Sequence, residues 1–288
     1  MNLHLNVIGL GEVLWDVLPE GKKLGDAPCN FVYHCLQQGA RGTVLSAVGN
    51  DHNGKEILEL LNSKGLSEDL IQVNDHPTGI VDVSLNDRGI PEYTIHENVA
   101  WDFISYHEDI QQKVFEADII CFGTLAQRNN VFRITLEKIL KTCKPGTLLV
   151  YDINLRQHYY NHAIIQNSLQ LCNVLKMNKE ELLIVCEILE ITEEGDDKKV
   201  LHLMKRFNLK LVALTKGING SLLVTTSDRS HLPTPQVKVK DTVGAGDAFT
   251  AAMIVGFANG NGLRKIHQKA VEISAFVCTR EGAMPDFD

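Results

Sequence analysis

Near the end of the chain, Asp241-Thr-Val-Gly-Ala-Gly-Asp-Ala-Phe249 packs two glycines and two aspartates into nine residues. Gly244 and Gly246 leave little side chain between the backbone and any ligand. The apolar run from Ala248 to Ala258, closed by Asn259-Gly260, reads as a buried helix with a glycine stop. Gly244, Ala245 and Gly246 are thus expected at a helix N-terminus, where unpaired amides and the positive dipole end favour an anion. Asp247 falls in the first turn, beside that anion. A capping aspartate would account for one carboxylate, but not for two glycines that cost helix stability. The chemistry to expect is a phosphate held by backbone, with a carboxylate placed as base.

Other polar residues are candidates with two readings each. Gly9 and Gly11 suggest a dinucleotide fingerprint, but its third glycine would fall at Leu14, which excludes it. No G-x-x-x-x-G-K-[ST] loop is present, so a bound phosphate would need another holder, for which the amides at 244–247 are the candidates. Asp16 lies just past a strand end, where open α/β sheets gather ligand groups; a turn aspartate is the alternative. Asn30, in the helix opened by Gly25-Asp-Ala-Pro-Cys, is a ligand or part of a capped start. Asn178-Lys-Glu-Glu181 fits a capping box, and a ligand role does not exclude it.

Strands at 3–10, 43–48, 117–123, 147–153, 172–177 and 210–215 alternate with helices such as 53–64, 130–143 and 266–278. Repeated β–α units with short connections predict an α/β fold, a mostly parallel central sheet with helices on both faces. The motifs after strands 3–10, 147–153, 172–177 and 210–215 then share one sheet edge. Residues 78–95 break the rhythm: Val81, Val83 and Leu85 alternate with Asp82 and Ser84, and Asn86-Asp-Arg-Gly89 turns the chain back. This half-polar hairpin predicts a small projecting sheet, either a lid or an interface for a second copy. Lys216-Gly-Ile-Asn-Gly220 turns into Ser221–Thr226 as a further hairpin. The expectation is a single domain over 1–288 with a lid drawn from about 12–24 and 76–104.

Hydrophobic content of 44% in 288 residues supports a large core, and 28 basic against 36 acidic residues disfavour nucleic acid or anionic membrane as partners. Seven cysteines, odd in number and without a C-x-x-C, read as reduced thiols in a cytoplasmic protein. No run approaches the roughly 18 apolar residues of a membrane span.

The 241–249 stretch resembles the C-terminal D-T-x-G-A-G-D-x-F motif of ribokinase-like, PfkB-type sugar kinases, and the resemblance runs from Gly9 to Pro285. Gly11-Glu-Val-Leu-Trp-Asp16, Ala27-Pro-Cys-Asn30, Pro77-Thr78, Val99-Ala-Trp-Asp102 and Asp152-Ile-Asn-Leu-Arg156 resemble the fructokinase branch in particular. The resemblance implies Asp247 as general base, with Gly244, Ala245 and Gly246 supplying the anion hole and Arg156 facing the transferring phosphate. It implies Asp16, Gly25, Asp26, Asn30 and Trp101 at the sugar, where Asp26 replaces the second glycine of the family's usual pair. It places Thr215, Lys216, Gly217 and Gly220, with Asn178, on the nucleotide side. Glu181 and Asn178 correspond to the motif tied to Mg2+ through water. Asp241, Val243, Val277, Arg280 and Gly282 correspond to a monovalent-cation (K+) loop found in many members. The implied activity is transfer of the ATP γ-phosphate to a primary hydroxyl, with fructose to fructose 6-phosphate foremost. Ribose, 2-keto-3-deoxygluconate and nucleosides stay open as acceptors, as does a catalytically weak sugar- or nucleotide-binding member. A homodimer through the lid is compatible with all of these.

Overall fold

A computed structural model describes residues 4–18, 21–25, 27–85 and 91–287. Among them run thirteen strands: β1 (Asn6–Leu10), β2 (Leu14–Leu18), β3 (Gly21–Gly25), β4 (Arg41–Gly49), β5 (Ile71–Asn74), β6 (Gly79–Leu85), β7 (Pro91–Ile95), β8 (Ile119–Phe122), β9 (Leu148–Asp152), β10 (Val174–Asn178), β11 (Leu211–Thr215), β12 (Ser221–Thr225) and β13 (Arg229–Leu232). The nine α-helices are α1 (Ala27–Leu36), α2 (His52–Ser63), α3 (Glu108–Glu116), α4 (Asn130–Thr142), α5 (His162–Leu171), α6 (Lys179–Ile188), α7 (Asp196–Arg206), α8 (Ala245–Ala258) and α9 (Leu263–Cys278).

Nine strands form one sheet in the order β13-β12-β11-β10-β9-β8-β1-β4-β5. Every pairing from β5 to β11 is parallel, and β12 and β13 add an antiparallel edge. The central strands β8 and β9 are buried throughout, which is why they read as continuous apolar runs and not as alternations. Buried side chains gather on both faces. Trp101, Phe122, Tyr151 and Leu182 belong to one cluster, while Val32, Phe249, Met253 and Ile266 belong to the other.

Helix α8 is apolar on all sides, and residues Ala248–Gly256 are buried. Its small residues let it pack closely against both α9 and α1; a Cβ on Gly256 would lie 3.2 Å from Ile266 Cγ1. Four strands form a second, smaller sheet in the order β3-β2-β6-β7. There Asp16 is in register with Val81, and Val81 with Ile95, so one row crosses three strands.

Candidate active site

The 241–249 stretch folds as the expected glycine turn leading into α8. Gly244 is the N-cap of α8 in the left-handed region, φ +75°, and a Cβ there would fall 2.6 Å from that of Ala283. The Ala245 amide turns back to Thr242 O at 3.3 Å. The amides of Gly246 and Asp247 have no acceptor inside the helix and stand at the positive end of its dipole.

Asp247 sits in this first turn, partly exposed on the wall of a cavity of about 760 Å³. Asn30 Nδ2, from the first turns of α1, donates to Asp247 Oδ2 at 2.9 Å. Burial, and then the charge of Asp152, pushes the Asp247 carboxyl up to about 7, against the pull of Asn30, Lys176 and Arg156.

Lys176 supplies a cation directly beneath the cradle. Its Nζ lies 3.2 Å from where a Cβ on Gly246 would sit, so a side chain at that turn would press on the ammonium. Lys176 Nζ donates to Asp152 Oδ1 at 2.9 Å, and Thr250 Oγ1, one turn into α8, donates to Asp152 Oδ2 at 2.8 Å. Burial alone would drive the proton from Lys176, but Asp152, Glu181 and Asp247 outweigh it and hold its pKa above the usual lysine value. Sequence reasoning passed over Lys176 as part of an apolar strand. Its signal was a single lysine within Val174–Met177, since a strand covered on both faces admits a charge only if that charge is paired.

The cavity wall also carries Glu12, Asp16, Gly25, Val81, Tyr93 and Ile95. A Cβ on Gly25 would fall 2.1 Å from Asp16 Oδ2, so this glycine makes space for the carboxylate. Burial raises the pKa of both Glu12 and Asp16, opposed in each by the charge of Arg156. Arg156 lines the same cavity, and its charge acts on Glu12, Asp16 and Asp247 alike. Asp26 lies outside the described residues. Trp101 requires a correction: it is fully buried and absent from the cavity wall, and the Arg128 guanidinium lies 4.0 Å over its ring. A Cβ on Gly79 would strike its Nε1 at 2.3 Å. Trp101 therefore supports the root of the small sheet and does not touch a ligand in this cavity.

Asn178 and Glu181 do form a capping box on α6. Asn178 Oδ1 accepts from Glu181 N at 2.8 Å, and Glu181 Oε2 accepts from Asn178 N at 2.7 Å. The other oxygen, Oε1, accepts from Leu155 N at 3.1 Å. Each oxygen is left with a spare lone pair, so Glu181 fits the expected contact to a water on Mg2+. Thr215 pairs in register with Asn178, and Lys216 N closes the turn onto Gly220 O at 2.9 Å. Thr215, Lys216, Gly217 and Gly220 thus lie beside the α6 start, outside the 760 Å³ cavity. The two segments in which a cation loop is expected lie side by side. Asp241 Oδ1 and Oδ2 accept from Val243 N and Gly282 N at 3.1 and 3.2 Å, and Lys240 N bonds Cys278 O, one residue past Val277 and two before Arg280.

A glycine-lined helix start, a carboxylate and a paired lysine thus share one open cavity of about 760 Å³, the arrangement expected of a carbohydrate kinase site. The family model of the pfkB family carbohydrate kinases matches residues 22–288, and the chain belongs to that family. The uncharacterized sugar kinase PH1459 of Pyrococcus horikoshii is 28% identical, the match covering 98% of this chain and 93% of that protein. Its structure in complex with ATP superposes with a TM-score of 0.81 over 97% and 94% of the two chains. Probable fructokinase-5 of Arabidopsis thaliana is 26% identical over 97% of this chain and 93% of its own. The crystal structure of fructokinase with bound ATP from Xylella fastidiosa, 19% identical, shares the fold with a TM-score of 0.84, covering 98% and 94%.

Proposed function

We propose that this sugar kinase uses ATP to phosphorylate the primary hydroxyl of a small neutral sugar, with fructose to fructose 6-phosphate as the leading reaction. The observation that carries the reading is Asp247, held by Asn30 on the cavity wall, with its carboxyl near neutrality and two cradle amides beside it. An alcohol is too weak an acid to ionise at pH 7, so Asp247 accepts its proton as the oxygen attacks the γ-phosphorus. A carboxyl titrating near 7 is well matched to that task. The amides of Gly246 and Asp247, with Lys176 and Arg156, face the negative charge on the phosphoryl oxygens. Mg2+, bound with ATP, would neutralise further phosphate charge, held through water by Asn178 and Glu181.

Among the described residues the cavity wall bears Glu12, Asp16 and Asp247 against Arg156 and Lys176, and Lys176 is already engaged by Asp152. That balance favours an uncharged acceptor over a sugar acid such as 2-keto-3-deoxygluconate. The same reading includes K+ at the 241–243 and 277–282 loops, a lid from 12–24 and 76–104 that pairs two copies, and a cytoplasmic setting. No disulfide joins any of the seven cysteines, and no helix among the described residues is long and apolar enough to cross a membrane. A coupled assay of ADP release with fructose, ribose, 2-keto-3-deoxygluconate and a nucleoside, with and without K+, tests the proposal. Fructose should give the highest kcat/KM. Sugar binding without sugar-dependent ADP release would refute kinase activity and leave a binding protein.

A further inference from the structure

The loop after β9 carries Arg156 between two non-glycine residues in the left-handed region, Asn154 at φ 46° and Gln157 at φ 45°. Asparagine tolerates that conformation, but glutamine adopts it only when surrounding contacts hold it there. Those contacts are with the small sheet. Gln157 Nε2 donates to Tyr93 O at 2.7 Å. The Tyr159 hydroxyl lies 2.9 Å from Glu97 Oε1 and 3.3 Å from Ile95 O. Arg128, stacked between the rings of Trp101 and Tyr159 and doubly bonded to Asp102, donates to His96 O. Gln157, Tyr159 and Arg128 therefore hold β7 and the two residues after it, and Tyr93 and Ile95 of that strand line the cavity. The row Ile95–Val81–Asp16 then runs straight from this attachment to the sugar-side carboxylate. The other end of the loop is fixed too, by Glu181 accepting from Leu155 N.

We propose that Gln157 and Tyr159 are positioning residues that latch β7 to the Arg156 loop, so that the sugar-covering sheet and the phosphate-facing arginine are placed as one unit. The catalytic part of this statement rests on the kinase reading above; the latch itself does not. With the latch intact, Arg156 is in place only when the sheet covers the sugar, which keeps water from taking the phosphoryl group. Loosening it lets water act as acceptor, yielding ADP and inorganic phosphate in place of ADP and sugar phosphate.

The test uses the full chain with Gln157→Gly and Tyr159→Phe. Glycine removes the amide while accepting φ 45° freely, and phenylalanine keeps the ring against Arg128 while losing the hydroxyl. Each should raise the sugar KM roughly fivefold, the worth of one net hydrogen bond, with the ATP KM unchanged. Each should also raise the ADP released per sugar phosphate above one and speed amide hydrogen exchange across residues 91–97. The proposal is overturned if 91–97 exchanges at the wild-type rate in both variants. Should the wild type phosphorylate no sugar at all, the kinase reading falls and the exchange comparison still decides the latch.

Discussion

Replacing Asp247 with asparagine should weaken catalysis and strengthen the fold, and the two effects have one cause. Burial lifts the carboxyl from an ordinary 3.8 to about 7, so between those values the folded protein holds a proton that the unfolded chain has lost. Wherever the folded state binds more protons, stability falls as pH rises. Wild-type stability should thus decline from about pH 4 to about pH 7 through this group and level off above. Asparagine has no such titration, so the variant should gain on the wild type across that window. At 1.36 kcal/mol per tenfold, the displacement corresponds to at most about 4 kcal/mol. Water still reaches the open cavity, so the measured gain in the free protein should be smaller than that. Urea denaturation of both proteins at pH 4.5 and pH 8 reads the difference, with other titrating groups cancelling between them. Turnover of the variant should fall on the order of 10²-fold or more, and the rise of wild-type kcat/KM with a midpoint near 7 should disappear. An equal stability gap at both pH values would mean that burial does not load Asp247, and near-normal turnover would mean that it is not the base.

Three other perturbations follow from the same geometry. Lys176→Met strands Asp152 in a dry site and should cost about 3–5 kcal/mol in thermal stability; adding Asp152→Asn should restore the melting temperature but not the ADP release. Gly25→Ala drives a methyl into Asp16, so the sugar KM should rise about tenfold or more while the ATP KM holds, as steady-state kinetics would show. Asn30→Ala removes the 2.9 Å donor that favours the ionised form of Asp247, and should shift the pH–kcat/KM limb to the alkaline side.

The sequence made the cradle legible because its residues act locally: the glycines, the carboxylate three residues into α8 and the helix stop all lie in one segment. The parallel sheet was legible for a similar reason, since strands covered on both faces stand out as apolar runs. Elements such as α3, α5 and α7 were not read, because at 9, 10 and 11 residues, against 12 and 13 for α2 and α4, they repeat the helical pattern over fewer turns. What escaped at the site was long-range. The bond between Lys176 and Asp152 joins residues 24 apart through neighbouring strands, and the Asn30–Asp247 bond spans 217 positions. Trp101 was misplaced because an aromatic residue in a family-like motif carries no sign of which way its ring faces. The burial that decides this comes from Gly79 and Arg128, distant parts of the chain.

Helix α8 is wrapped by α1 and α9 and has no polar side along which it could slide. Its N-terminal turn cannot tilt without disturbing two neighbouring helices, which anchors the glycine turn and Asp247 in close packing. Adaptation to a new guest would then fall to the four-stranded sheet, and a library confined to β2, β3, β6 and β7 should alter acceptor preference while leaving nucleotide handling alone.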